Sequence, residues 1–154
     1  MYLKSSIKIP KQLLNIDKTV LKAVKEGVED CTDDLLRVAS LRAPVNSTTL
    51  EKNGTSEVET SGDKIVGRVS FQAINKGYNY AYKMDRGNYK LGKESLAKSK
   101  RGVRSKFTNE SLKVGSGYLT DTAEKCEKGY INYINYKIYE VIAEDGFNVT
   151  KKGK

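Results

Sequence analysis

The chain has no histidine and no tryptophan, and only two cysteines, two prolines and two methionines in 154 residues. The missing histidine removes the commonest general base and the commonest metal ligand together. Two cysteines cannot complete a four-ligand zinc site. Cys31 and Cys126 lie far apart, each within an apolar helical pattern, so packed free thiols are expected rather than a disulfide. No apolar run approaches the length of a membrane span, and the opening MYLKSSIKIPK lacks the apolar stretch of a signal peptide, so no membrane partner and residence in a cytosol are expected. Phosphate-binding G-x-x-x-x-G-K-[ST] loops and G-x-S-x-G elbows are also missing. No catalytic residue, cofactor or metal is therefore expected, and enzyme activity is not.

Charge is plentiful, and its placement says more than its sum of +9. Lys90, Lys93, Lys98, Lys100, Arg101, Arg104 and Lys106 crowd one stretch opposed only by Glu94, and so supply six of the nine excess charges. Lys151, Lys152 and Lys154 form a smaller cluster at the end. An acidic patch, Glu29, Asp30, Asp33 and Asp34, lies in the first half. Clustered acids on a helix are either a solvated face or a subunit contact.

The length fits one domain that needs no disulfide or metal to fold. Leu13, Ile16, Val20, Val24, Val28, Cys31, Leu35 and Val38 recur at steps of three and four, which predicts one amphipathic helix from Ile16 to Leu41. Asn15 or Asp17 would cap it, Gly27 would mark a bend or a close neighbour, and Pro44 would stop it. Short alternation at Ser56–Thr60, a turn at Ser61-Gly62-Asp63 and alternation from Ile65 to Ala73 predict an antiparallel hairpin, with Val66 on its polar face available to a partner. Residues 88–117 show little periodicity and read as a long basic loop. Asp121 with Glu124 has capping-box spacing for a second helix, and Gly146 would end it. The expected fold is α+β: an N-terminal arm (1–15), a single domain (16–146) with a loop insertion (88–117), and a basic tail (147–154).

Tyr130, Tyr133, Tyr136 and Tyr139 are spaced by three, so successive members slip about 60° around a helix and form no single stripe. Ile131, Ile134, Ile138 and Ile142 share a face, expected to be core; Tyr133 and Tyr136 then point away, as surface tyrosines or a subunit interface. The basic stretch has two open readings. It neutralises DNA phosphates without reading sequence, or it only solubilises. Tyr89 and Phe107 merely bracket its charges, unlike a single-strand stacking platform, and no helix-turn-helix or RNP-like run is present.

With these elements in place, the order of motifs resembles the tail-completion or head–tail joining proteins of tailed bacteriophages, the neck or minor structural proteins. In that family a long first helix ends in Ala-Pro-Val-(Asp)-Thr-Gly-x-Leu. A hairpin follows, then Tyr-Ala-x-x-apolar-acid-x-Gly, a variable loop, and a closing helix introduced by an aromatic and an apolar residue. Here the first motif is Ala43-Pro44-Val45-Asn46-Ser47-Thr48-Thr49-Leu50 and the second is Tyr80-Ala81-Tyr82-Lys83-Met84-Asp85-Arg86-Gly87, with Tyr118-Leu119 before the closing helix. Asn46-Ser47-Thr48 stands where the family has Asp-Thr-Gly, and the loop after Gly87 is longer and more basic than the usual connection.

The resemblance implies a structural virion protein made in the host bacterial cytoplasm. It would be a homo-oligomeric ring, hexameric in the family's manner, in the neck between head connector and tail, around the double-stranded DNA channel. Lys90, Lys93, Lys98, Lys100, Arg101, Arg104 and Lys106 would face DNA or a neighbouring ring. Glu29, Asp30, Asp33 and Asp34, with Tyr133 and Tyr136, would form a subunit interface, the acids meeting a basic patch of the next copy. The alternative from another class is a small basic nucleic-acid-binding protein. A hydrolase using Asp85 has a lone carboxylate behind it.

Overall fold

The structure, a computed structural model, describes residues 3–8, 18–45, 49–62 and 64–152, with side-chain surroundings for 18–45, 50–62 and 64–143. The expected caps Asn15 and Asp17 and the turn Asn46-Ser47-Thr48 lie outside the described residues.

Helix α1 spans Lys18–Arg42 and buries Val20, Val24, Val28, Cys31, Leu35 and Val38, the stripe that the spacing predicts. Its last turn closes through the Ala43 N–H on the Ala39 carbonyl (2.8 Å), and Pro44 follows. A one-turn helix α2 (Thr49–Lys52) leads to the hairpin of β2 (Gly54–Ser61) and β3 (Lys64–Phe71), joined by a tight turn with Gly62 at φ 57°. The expected arm contributes a strand: β1 (Leu3–Lys8) pairs antiparallel with β3, from Leu3 opposite Phe71 to Lys8 opposite Val66. The sheet order is therefore β1-β3-β2, with α1 packed on one face. Val66, expected on an open polar face, is 7% exposed, flanked across the sheet by Lys8 and Glu59 in the register.

A small hairpin, β4 (Ile74–Asn75) and β5 (Tyr78–Asn79), turns through Lys76 and Gly77, both at positive φ, and leads into helix α3 (Ala81–Arg86). Residues 88–117 are folded rather than a loop. They form helix α4 (Lys93–Ser99) and a second hairpin, β6 (Val103–Arg104) with β7 (Ser111–Leu112). These elements are too short for hydrophobic periodicity to show. Val103 and Leu112 anchor β6 and β7 in the core, Val114 is buried just beyond them, and α4 buries the polar Ser95.

Helix α5 spans Thr120–Lys152, about 50 Å of helix. It runs antiparallel to α1: Asp121 meets Arg42, Tyr130 meets Asp34, and Lys137 meets Glu26. Gly146 lies inside it, so the expected stop is not made there and residues 147–152 continue the helix. A glycine ends a helix only where the chain closes a left-handed cap on it. The core stripe of α5 is Cys126, Tyr130, Ile134 and Ile138; Ile131 and Ile142, expected in it, are each 45% exposed. Tyr130 takes a core place because its hydroxyl bonds Asp34 (3.0 Å), which satisfies the one polar group it buries.

Two glycines set the layer spacing. Gly27 lies 3.2 Å, measured from an added Cβ, from Ile134 Cγ1, so a close neighbour explains it. A Cβ on Gly67 would run into Thr32 Oγ1, whose hydroxyl donates back to the Val28 carbonyl (2.6 Å), so α1 can sit this close to β3 only over glycine. Among the described residues no helix is long and apolar enough to cross a membrane.

Candidate functional site

The second marker stretch and Tyr118-Leu119 converge on the start of α5, reached from α1 by Arg42 just before the first. Asp85, at the end of α3, is 1% exposed. Its Oδ1 accepts the Leu119 N–H (2.8 Å) and the Thr120 N–H (3.2 Å), and its Oδ2 accepts the Thr120 hydroxyl (2.6 Å). Its backbone carbonyl takes the Gly117 N–H (2.6 Å) and the Ser116 hydroxyl (2.9 Å). A carboxylate here satisfies otherwise orphaned first-turn donors and faces the positive end of the helix dipole. Asp121 and Glu124 do not form the expected capping box. The acceptor comes from 34 residues upstream, and Asp121 turns instead to Arg42.

Arg42 carries the other half of the joint, 4% exposed on the buried face of α1. Its guanidinium donates to the Lys113 carbonyl (2.7 Å), the Gly117 carbonyl (3.1 Å), the Thr122 hydroxyl (2.7 Å) and Asp121 Oδ2 (2.9 Å). The planar fork lets one side chain hold the 113–122 turn from several sides. The Tyr118 hydroxyl donates to the Ala81 carbonyl (3.2 Å), and its ring meets Phe71 edge-on at 5.2 Å. Burial, with Asp85 nearby, holds the Tyr118 phenol well above its ordinary range and pushes Tyr89, whose hydroxyl donates to the Met84 carbonyl (2.6 Å), up to about 12.

The Ala-Pro-Val joint is clamped by α4. Lys98 donates to the Ser40 (3.1 Å) and Ala43 (2.9 Å) carbonyls at the end of α1 and pairs with Glu51 at 2.9 Å. Ser95 accepts the Val45 N–H (2.9 Å). Ala43 and Leu50 are fully buried, Ala81 is in the core, and Tyr80 packs partly buried against it. Gly87 closes α3 through its N–H on the Lys83 carbonyl (2.7 Å), a contact so near that a Cβ would strike that oxygen.

Lys98 is thus a helix clamp, not the DNA-facing or ring-contact residue expected. Lys90, Lys93, Lys100, Arg101, Arg104 and Lys106 are exposed. The acidic patch divides in the same way. Asp34 is 3% exposed and accepts from Arg37 (2.7 Å), the Ser105 hydroxyl (2.5 Å), the Lys106 N–H (3.2 Å) and the Tyr130 hydroxyl (3.0 Å), which ties the β6–β7 segment to α1. It is an internal anchor and faces no neighbour. Burial, then Cys126 and Asp34, hold the Tyr130 phenol far above its usual value; burial with Asp30 and Asp34 pushes the Cys31 thiol to about 12.

Asp30 accepts the Tyr133 hydroxyl (2.7 Å), which raises that phenol to about 12, and Asp33 accepts the Ser56 hydroxyl (3.2 Å). Tyr133 stacks at a tilt on Phe107, while Tyr136 is exposed and its hydroxyl donates to Glu140. Glu29 is half-buried beside Lys25. Lys106 lines an open groove of about 420 Å³ together with Asp30, Asp33, Asp34 and Tyr133. The acidic patch and the end of the basic stretch therefore adjoin within one chain.

Sequence reasoning missed Arg42 and the internal role of Asp34. The available signal was position: both fall at helical steps from Leu35, Val38 and Cys31, which puts a charge on the apolar stripe. Comparison with protein-family models, with curated proteins and with solved structures finds no match to this chain.

Proposed function

We propose that the protein is a structural component of a tailed-phage neck, a non-catalytic subunit that assembles as a ring, hexameric in the family's manner, between head connector and tail. One observation carries the reading: two of the stretches by which the chain resembles the neck family, Tyr80–Gly87 and Tyr118-Leu119, meet in one buried joint, and Ala43 and Leu50 of the third lie in the same hydrophobic core. The second motif and the residues that open the closing helix thus form one packed unit, which supports reading them together. The lone carboxylate Asp85, the candidate for hydrolysis, has both oxygens engaged in capping α5. The exposed Lys90, Lys93, Lys100, Arg101, Arg104 and Lys106 suit a surface near the channel DNA, where they would neutralise phosphates without reading sequence.

The test is virion composition and a gene knockout. Purified virions contain the protein at a few copies each, and phage lacking it accumulate filled heads and finished tails that do not join. Normal infectious particles without the protein would discard the reading. The same exposed cations favour a second reading, a small nucleic-acid-binding protein. Tight, salt-sensitive retardation of DNA by a monomer absent from virions would support that instead.

A further inference from the structure

Both lateral edges of the sheet are open among the described residues, and they carry opposite charge. On one side β2 is an eight-residue strand paired with β3 along its whole length, without a bulge. It contains no proline and no bulge, so of the usual devices that stop an edge from recruiting another strand it keeps only charge, which a partner edge of opposite sign turns into attraction. Its charges are Glu57 and Glu59, which pair with Arg68 of β3. On the other side β1, LKSSIK, carries Lys4 and Lys8 and no acid. The register puts Lys4 in the cross-strand row of Ser70 and Thr55, and Lys8 in the row of Val66 and Glu59.

We propose that the β1 edge of one copy pairs with the β2 edge of the next, continuing one sheet from subunit to subunit. Charge selects this pairing over its rivals. A two-fold β2–β2 contact centred on Val58 would set Glu57 opposite Glu59 of the partner subunit on both sides, and like charges directly opposite are destabilising. A β1–β1 contact would gather lysines in the same way. In the register that continues each cross-strand row into the next copy, the heterologous contact instead brings Lys8 level with Glu59 of the partner subunit, with Lys4 and Lys8 at the positions diagonal to Glu57 of the partner subunit.

The strand directions agree as well. Both β1 and β2 run antiparallel to β3, so they are parallel to each other and a continued sheet joins them in parallel. A contact of two different surfaces, repeated head to tail, closes into a ring when its rotation closes. The inference rests on the ring reading and supplies its interface.

The experiment is sedimentation velocity of the full chain over a wide concentration range at low salt, with a charge swap. Wild type forms species larger than the monomer as concentration rises. Glu57→Lys/Glu59→Lys gives a chain with two basic edges, and Lys4→Glu/Lys8→Glu gives one with two acidic edges. Each alone loses the larger species, and mixing the two restores them.

Should the first variant unfold beside Arg68, the second still reports. Added to wild type it accepts a neighbour on β2 but offers no basic edge, so it lowers the mean mass of the assemblies. Variants that assemble as wild type does, or a loss that mixing does not reverse, would overturn the edge pairing and leave the ring reading to the virion test. Wild type that stays monomeric at every concentration would also overturn the pairing, and virion composition would again decide the ring separately.

Discussion

Replacing Asp85 by alanine removes the acceptor that starts α5 and leaves the Leu119 and Thr120 N–H groups and the Thr120 hydroxyl without it. A lost cap alone costs about 0.5–2 kcal/mol. Here the acceptor is charged and 1% exposed, and a buried donor left unsatisfied costs about 1–3 kcal/mol. These contributions overlap, because one carboxylate serves all three donors, so the sum is smaller than its parts. About 3–4 kcal/mol is the expected loss for Asp85→Ala, a large share of the 5–15 kcal/mol typical of a domain. Asp85→Asn keeps the shape and one acceptor oxygen but loses the charge facing the helix dipole, for about 1–2 kcal/mol.

The ordering is therefore wild type, Asp85→Asn, Asp85→Ala, with a fall in melting temperature of about 10 °C for the alanine variant. Urea unfolding followed by far-ultraviolet circular dichroism measures the energies. Amide hydrogen exchange locates them, with the Leu119 and Thr120 N–H groups protected in wild type and fast in Asp85→Ala. An alanine variant as stable as wild type, with those two amides still protected, would refute the capping role and reopen Asp85 to other chemistry.

Arg42→Lys keeps the charge but cannot span the Lys113 and Gly117 carbonyls, Thr122 and Asp121 together, so a loss of about 3 kcal/mol of unfolding free energy is expected, read as a lower urea midpoint at unchanged slope. Gly67→Ala drives a methyl into Thr32 and costs about 1–3 kcal/mol, and pairing it with Thr32→Ala recovers most of that in a double-mutant cycle. Both thiols are buried, so a disulfide-exchange reagent at mildly alkaline pH leaves the native chain untouched and titrates Cys31 and Cys126 only in denaturant. Cys31 rises from 9.0 to about 12 and Tyr133 from 10.0 to about 12; the folded chain thus holds more protons than the unfolded one between these values, and stability falls as pH rises through about 9 to 12, as alkaline unfolding measures. Lys98→Ala weakens the end of α1 with little effect on any DNA retention, whereas reversing Lys100 and Arg101 lowers retention and its salt dependence.

The helix α1, the β2–β3 hairpin and the closing helix were legible because each runs long enough for its hydrophobic period to repeat. Strand β1 was not, since Leu3 and Ile7 give a single alternation that only pairing with β3 completes. The segment 88–117 hid its fold for a related reason. Its order comes from single long-range bonds, Ser105 and Lys106 to Asp34 and Lys98 to the end of α1, which leave no local pattern. Charge misled in two places. Asp34 and Lys98 were grouped with exposed neighbours by sequence adjacency, yet each faces inward and has partners there. The stripe on α5 was displaced for a different cause: a tyrosine with a bonded hydroxyl packs as core, and so moved the buried face away from Ile131 and Ile142.

The family-like residues have a bearing on how function can be tested. Ala43, Leu50, Ala81 and Asp85 are all 1% exposed or less, so they act through the fold. Substitutions there would lower any function by destabilising the fold, and such a loss would not distinguish a neck ring from a nucleic-acid-binding protein. Discrimination belongs to surfaces that the motifs do not include: the exposed cations between Lys90 and Lys106, and the oppositely charged sheet edges β1 and β2. Changes at those places leave the Arg42–Asp85 joint intact, because none of its bonds involves them. A folded edge variant that no longer assembles therefore isolates assembly from stability, which no substitution in the motif can do.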